Sequence, residues 1–123
     1  MKPDPKLALS ALETESLRAF RARIGKLPPT DAALGVLGRG FFEVLARVSL
    51  TPAEHGEALA VERIAAEAPA ADVQGLRRLL ASLQLVLQGP PAGWRAAVTA
   101  GAPQAVLTRR LVLGGREAPR DAA

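Results

Sequence analysis

The chain lacks several of the residues on which catalytic and metal sites are commonly built. It contains no cysteine and no tyrosine, and His55 is its only histidine. The absence of cysteine excludes disulfide bonds and thiolate metal ligands. One histidine also excludes any site that needs two imidazoles. We therefore expect no catalytic residue, no metal and no cofactor. The sequence favours a protein without enzymatic activity over an enzyme.

Aromatic residues are scarce, since one tryptophan and three phenylalanines make up the whole set. Alanine and leucine dominate, whereas β-branched residues are few. This composition favours helix over sheet. Codon bias in a GC-rich, bacterial-like genome would also enrich alanine, arginine, glycine and proline, so part of the alanine content has no structural meaning. A length of 123 residues predicts one domain.

The strongest apolar pattern lies within residues 72–88. Apolar side chains recur there at spacings of three and four, which places them on one face of an α-helix: Val73, Leu76, Leu80, Leu83 and Leu87. Leu79, Leu85 and Val86 widen that face over the second half of the segment. Because a helix that is apolar on most sides is normally surrounded by other elements, residues 72–88 are predicted to form the central helix.

Capping signals mark the starts of the helices that precede it. The first spans residues 7–25, or begins at the capping box formed by Ser10 and Glu13. Its buried face is predicted to comprise Leu9, Leu12, Leu17, Phe20, Ile24 and Leu27. The second begins after the N-cap Thr30. Its three closely spaced glycines predict either irregular turns or the close approach of another helix: Gly35, Gly38 and Gly40.

Three further helices complete the predicted fold. Thr51 and Pro52 mark the start of a helix that is expected to reach about Glu67. A short helix is predicted over residues 93–100. Residues 102–113 are compatible with a helix or a strand, and we favour a helix. The predicted fold is an all-α bundle of four main helices plus a short C-terminal helical pair.

The ends of the chain are predicted to lie outside this bundle. Residues 1–6 form a flexible lead-in, residues 7–113 a single helical domain, and residues 114–123 a flexible tail. The start has no apolar run of signal-peptide length, and no segment approaches the length of a membrane-spanning helix. We therefore expect a cytoplasmic protein without membrane insertion.

Acidic side chains near the single histidine are the first candidates for chemistry. Glu54, Glu57 and Glu62 lie close to His55 in sequence, but a carboxylate metal site in a helical bundle needs a matching acidic helix, which is absent. We interpret these residues as a solvated face. A small cavity using Glu43 or Arg39 would be the remaining route to an enzyme.

Basic residues predict an alternative function, nucleic-acid binding. The formal net charge is +4, and residues 77–123 carry seven Lys or Arg against two Asp or Glu. The segment EAPAADVQGLRRLLASL resembles the helix-turn-helix of winged-helix regulators, whose second helix enters the major groove. A regulator or a ribonucleoprotein subunit of this kind would use Gln74, Arg77, Arg78, Arg109 and Arg110.

A second resemblance covers less than half of the chain. The segment AEAPAADVQGLRRLLASL, followed by GPP and a short helix, resembles the helical accessory region of bacterial glucose-methanol-choline oxidoreductases. No flavin motif accompanies it. The resemblance implies a third function, a small accessory subunit of an oxidoreductase complex.

The leading prediction is a non-catalytic interaction or accessory protein. No nucleophile, metal set or cofactor loop can be assembled, whereas the helices carry more apolar surface than a small bundle readily covers. We expect binding to another protein, or self-association, through an apolar helix surface. The residues expected to form it are Phe41, Phe42, Leu79, Leu85, Val86 and Trp94.

Overall fold

The computed structural model describes residues 5–26 and 30–118. These residues form six α-helices and two 3-10 turns, and no strand occurs among them, so the predicted all-α class is confirmed. The helices are α1 (Ala11–Ile24), α2 (Asp31–Ala46), α3 (Val61–Glu67), α4 (Val73–Gln88), α5 (Pro91–Ala100) and α6 (Ala102–Leu113). The 3-10 turns are Pro5–Leu7 and Ala68–Ala70. Residues 102–113 are thus helical, as predicted.

Three of the helices begin where side chains cap them. In α1 the Ser10 hydroxyl accepts a hydrogen bond from the Glu13 amide at 3.1 Å, and the Glu13 carboxylate accepts one from the Ser10 amide at 2.9 Å. The first helix therefore begins at the capping box. The side chains of Thr30 and Asp72 cap α2 and α4, each accepting a hydrogen bond from the amide three residues later. These predicted starts are confirmed.

The predicted helix from Thr51 to about Glu67 is wrong over its first ten residues. Residues 50–60, which we call the strap, contain no helix, and α3 spans seven residues. The strap lies along α4: the Ala53 amide donates to the Arg77 carbonyl at 2.9 Å, and the Arg77 side chain donates to the Thr51 carbonyl at 3.2 Å. These long-range hydrogen bonds satisfy the Ala53 amide and the Thr51 carbonyl, which have no helical partner here.

The helix with the most neighbouring elements is α6, not α4. It packs against α1, α3, α4, α5 and the 3-10 turn Ala68–Ala70. Its buried residues occur on several faces: Ala102, Pro103, Val106, Leu107, Thr108, Arg110 and Leu111. In α4 the second half is less enclosed than predicted, since Leu85 is 44% exposed. The sequence-based assignment of the central position to residues 72–88 therefore differs from the structure.

Close contact between α2 and its neighbours depends on Gly38. A Cβ atom at this position would overlap Leu87 Cδ1 and lie 3.3 Å from Trp94 Cε2. This contact confirms the predicted close approach of another helix to the glycine-containing part of α2. Beside it, the Phe41 ring lies 5.1 Å from Phe42 and 5.8 Å from Trp94, measured between ring centroids. These rings fill the interior between α2 and α5.

The predicted flexible ends overlap the described residues only in part. Residues 1–4 and 119–123 lie outside them, as does Leu27 of the predicted α1 face. Within the predicted tail, Arg116 donates two hydrogen bonds to the Leu9 carbonyl, at 2.9 and 2.6 Å. The first part of that segment therefore lies against the start of α1. Across the described part of the chain, every helix is too short or too polar to cross a membrane.

We predict opposite effects for two glycine-to-alanine substitutions. At Gly56 a Cβ would lie 2.7 Å from the Ala81 carbonyl oxygen, so Gly56→Ala should push the strap from α4 and lower the free energy of unfolding by about 1–3 kcal/mol. At Gly35 the nearest atom outside the helix backbone is the end of the Arg39 side chain, at 3.5 Å. Gly35→Ala should therefore stabilise α2 by up to about 1 kcal/mol. Urea denaturation measures both effects, and an unchanged midpoint for Gly56→Ala would contradict the described packing of the strap.

Candidate functional site

The six residues predicted to bind a protein partner do not share one surface. Phe41, Leu79 and Trp94 are buried in the core. Phe42 and Val86 are half-buried, and Leu85 is exposed. Because the three large buried side chains fill space between helices, they cannot contact a partner directly. The predicted surface is corrected in this respect, and Leu85 is its only well-exposed member.

The candidate nucleic-acid residues are also divided. Gln74 and Arg78 are exposed on the first two turns of α4. Arg77 donates to the Thr51 carbonyl of the strap, as described above. Arg109 donates from Nε to the Ala71 carbonyl at 2.7 Å. Two of these arginines therefore connect parts of the fold through main-chain carbonyls, which reduces the basic surface that the sequence predicts.

Arg110 lies in the core and cannot contact a phosphate. It is 2% exposed, and its terminal nitrogens donate to the Leu7 carbonyl at 2.8 Å and to the Val48 carbonyl at 2.9 Å. Burial lowers the pKa of this guanidinium, which the nearby Glu13 carboxylate partly opposes. The inclusion of Arg110 among nucleic-acid contacts is wrong. Its role is to join α6 to the segments before α1 and after α2.

One groove contains His55. It has a volume of about 870 Å³ and lies between the strap, α3 and the start of α4. Glu54 and Glu57 line it beside the histidine, whereas Glu62 lines a different depression on α3 and α5. In the part of the chain that the structure describes, no three His, Asp or Glu side chains are placed to hold a metal ion.

A different groove, between α1 and α2, combines exposed apolar residues with arginines. Its volume is about 450 Å³. Phe20, Leu37 and Val44 supply its more enclosed apolar walls, and Gly40 lets the Phe20 ring approach the α2 backbone, since a Cβ there would lie 3.1 Å from Phe20 Cε2. Val36 lies on the same groove and is 60% exposed.

Leu12 extends this apolar surface along α1. It precedes the groove residues Ser16, Ala19 and Arg23 by spacings of four, seven and eleven, which places all four on one helix face. Leu12 is 75% exposed, so its assignment to the buried face is wrong. The physical reason is that α1 turns Thr14, Leu17 and Ile24 toward the core instead. Leu12 and Val36 are the two most exposed large apolar side chains in the described residues.

Charges around the groove are mainly positive. Arg23, Arg39 and Arg47 line it together with one carboxylate, Glu43. The Arg23 guanidinium carbon lies 5.8 Å from the centre of the Phe20 ring, within the range of a cation–π interaction. None of these arginines forms an ion pair with a carboxylate of residues 5–26 or 30–118. We call the surface formed by Leu12 and these lining residues of α1 and α2 the arginine-rimmed groove.

A sequence signal for this groove exists but is weak. Along α1 the apolar residues fall on two stripes, and only one of them faces the core. In α2, Val36 and Gly40 lie on the same face as Glu43 and Arg47. Because charged residues are typical of helix faces in contact with water, the sequence of this face does not distinguish it from an ordinary exposed surface. The groove therefore depends on how the two helices are placed beside each other. Glu43 and Arg39, the residues considered for a small catalytic cavity, are both exposed on it.

An ion-pair network joins the C-terminal segment to the opposite face of α1. The Glu117 carboxylate accepts hydrogen bonds from both terminal nitrogens of Arg21, at 2.9 and 2.8 Å, and from Arg18 at 3.2 Å. The bond from Arg21, followed by that from Arg18, lowers the pKa of Glu117, and Glu117 in turn raises the pKa of Arg21. Arg21 also donates to the Thr108 hydroxyl at 2.9 Å. The network thereby connects α1, α6 and the segment after α6.

Comparisons with protein-family models, with curated proteins and with solved structures found no match to this chain. The assignment of a function therefore depends on the geometry and chemistry of its surfaces.

We predict that Arg110→Met destabilises the protein despite its apolar replacement. Methionine fills similar space, but the Leu7 and Val48 carbonyls lose charged donors, and each such loss costs about 1–3 kcal/mol. Unfolding in urea should give a decrease of about 2–6 kcal/mol for two carbonyls. The matched control is Arg78→Met on the exposed side of α4, for which a change within about 0.5 kcal/mol is expected. Equal stabilities of the two variants would contradict the structural role of Arg110.

We also predict a pH-dependent effect of Glu117→Gln. A carboxylate whose pKa is lowered by folding stabilises the folded state at pH values above its ordinary pKa of 4.5, and this contribution is lost as the pH falls through the lower, folded-state value. The variant should therefore be less stable than the parent at neutral pH, by up to about 1 kcal/mol because the pair is partly solvated. Urea denaturation at a series of pH values should show the difference shrinking below the ordinary pKa. A difference that grows as the pH falls would contradict the ion-pair assignment.

Proposed function

We propose that this protein is a non-catalytic interaction protein that binds an acidic amphipathic helix of another protein in the arginine-rimmed groove. The observation that carries the proposal is the exposure of Val36 on an apolar groove between two helices, with the exposed Leu12 four residues before the groove residue Ser16 on the same face of α1. Moving large apolar side chains out of water lowers the free energy of the system. Exposed apolar side chains beside a groove therefore favour the binding of a partner that covers them. An accessory subunit of a larger complex would use such a surface.

The shape of the groove suits a helix. Residues 16–23 of α1 and residues 36–47 of α2 form its two sides. A third helix lying between two others places apolar residues at spacings of three and four into the space between them. Val36 and Leu12 would then be covered by the partner, and the half-buried Phe20 ring would become fully enclosed. This arrangement would remove the most exposed large apolar side chains of the described residues from water.

The charges of the groove indicate the chemistry of the partner. Three arginines, Arg23, Arg39 and Arg47, face one glutamate, Glu43, so carboxylates on the flanks of a bound helix would be attracted. At the rim of an interface such pairs add modest affinity but set orientation and speed association. An acidic helix therefore fits better than a basic or neutral one. A second copy of this chain fits less well, since no described helix of it combines an exposed apolar stripe with acidic flanks.

Nucleic acid is the alternative occupant and fits the groove less well. Phosphates would be attracted by the same arginines, but the surface between them is formed by Phe20, Val36 and Leu37. A phosphodiester backbone gains nothing from covering apolar side chains, whereas an amphipathic helix does. Elsewhere, both terminal nitrogens of Arg110 donate to main-chain carbonyls in the core, and Arg77 and Arg109 are each tied to the fold by one bond from Nε to a main-chain carbonyl. Protein binding is therefore the better-supported function.

We predict that Val36→Asp abolishes binding of an acidic helix without unfolding the protein. The probe is a labelled synthetic peptide whose leucines follow helical spacing and whose flanking positions are glutamate. Fluorescence anisotropy should show saturable binding of the peptide to the parent protein. In the variant the affinity should be at least about tenfold lower, because an aspartate would be buried next to the glutamates of the peptide. The matched control is Leu85→Asp, which places the same charge at an exposed leucine of α4 and should leave the affinity unchanged.

Further measurements separate the alternatives. A peptide in which every glutamate is replaced by lysine should bind at least about tenfold more weakly, and added salt should weaken binding of the acidic peptide. Equal losses in the two aspartate variants, or no saturable binding of the acidic peptide, would contradict the proposal. So would competition by duplex DNA for the groove, or a dimer in sedimentation experiments that Val36→Asp converts to a monomer.

A further inference from the structure

A second, smaller cavity lies on another side of the molecule, between α1, α6 and the 3-10 turn Ala68–Ala70. Its volume is about 260 Å³. Pro69, Ala105 and Val112 supply apolar walls, and four polar side chains share the lining: Arg21, Gln104, Thr108 and Arg109. The residues from α6 lie on one stripe of that helix, so the cavity is elongated along it. It is too small for a nucleotide and suits a slender molecule.

Arg109 is held in place with part of its donor capacity unused. Its Nε donates to the Ala71 carbonyl at 2.7 Å, which fixes the guanidinium group relative to the 3-10 turn. Within the described residues, neither terminal nitrogen of Arg109 donates a hydrogen bond to a protein acceptor, and no carboxylate pairs with it. A half-buried guanidinium with two free terminal nitrogens matches the two oxygens of a carboxylate.

Thr108 supplies a further donor on the same stripe. The residue is 9% exposed, and its oxygen accepts a hydrogen bond from Arg21 at 2.9 Å. No acceptor in residues 5–26 or 30–118 receives the hydroxyl hydrogen of Thr108. Arg21 orients the hydroxyl and is itself paired with Glu117, a carboxylate that Arg18 shares. The cavity thus holds one oriented hydroxyl and Arg109, which has no carboxylate partner in the described residues.

We propose that this cavity binds a small aliphatic carboxylate. The carboxylate group lies against the terminal nitrogens of Arg109 and accepts a hydrogen bond from Thr108, and the hydrocarbon chain lies along Pro69, Ala105 and Val112. Apolar walls favour an organic acid over inorganic phosphate, which carries no hydrocarbon and would lose its hydration here for few donors. The site is separate from the arginine-rimmed groove and does not depend on the function proposed for it.

Calorimetric titration with acetate, butyrate and hexanoate tests this site. The affinity should rise about threefold to fourfold for each added methylene, because each one buries apolar surface in the cavity. Hexanol, which has the same chain without the charge, should bind at least about tenfold more weakly than hexanoate. Equal binding of hexanol and hexanoate, no saturable binding of any carboxylate, or tight binding of inorganic phosphate would overturn the proposal.

Two variants and a control assign the binding to these residues. Arg109→Gln should lower the affinity for hexanoate at least about tenfold. Because that change also removes the hydrogen bond to Ala71, Ala105→Leu provides a second test: it keeps Arg109 and fills the cavity, and it should abolish hexanoate binding while unfolding remains cooperative. Arg47→Gln, in the other groove, should leave the affinity unchanged. Unchanged binding by both site variants, or an equal loss in Arg47→Gln, would overturn the assignment.

Discussion

The fold depends on the burial of α6, a helix that carries adjacent arginines near its end. Arg110 is almost fully buried, and it donates to carbonyls from the segment before α1 and the segment after α2. Arg109 donates to the connection between the 3-10 turn and α4. A charged group in a protein interior is costly unless its donors are satisfied. Main-chain carbonyls of distant segments satisfy the two terminal nitrogens of Arg110, whereas its Nε has no partner within the described residues. These bonds allow a helix of mixed polarity to occupy the centre of a bundle.

Local signals in the sequence were sufficient for most helix boundaries. Ser10 with Glu13, Thr30 and Asp72 each cap the helix that follows, because a capping hydrogen bond spans only three residues. The strap shows where such reasoning fails. Thr51 and Pro52 form a good helix start, yet the chain there is not helical and is hydrogen-bonded instead to Arg77 on α4. Those partners lie more than twenty residues away and leave no periodic pattern in the strap itself.

The candidate site was predictable only as a general expectation of apolar helix surface. Phe41 and Trp94 are conspicuous in the sequence, but large aromatic residues fill interiors as readily as they form interfaces. Leu12 and Val36 are ordinary by type and become noticeable only through their exposure beside a groove. Likewise, the arginine pairs do not reveal whether a carbonyl already satisfies them. In each case the missing information is the placement of one helix beside another.

The central functional claim is that the arginine-rimmed groove binds an acidic amphipathic helix. The most direct test is to map the backbone amide signals of the ¹⁵N-labelled protein in NMR spectra during titration with the glutamate-flanked peptide. The account predicts that the largest chemical-shift changes fall on residues 12–23 of α1 and residues 36–47 of α2. Changes concentrated around Leu85 on α4, or around Gln74 and Arg78, would contradict it.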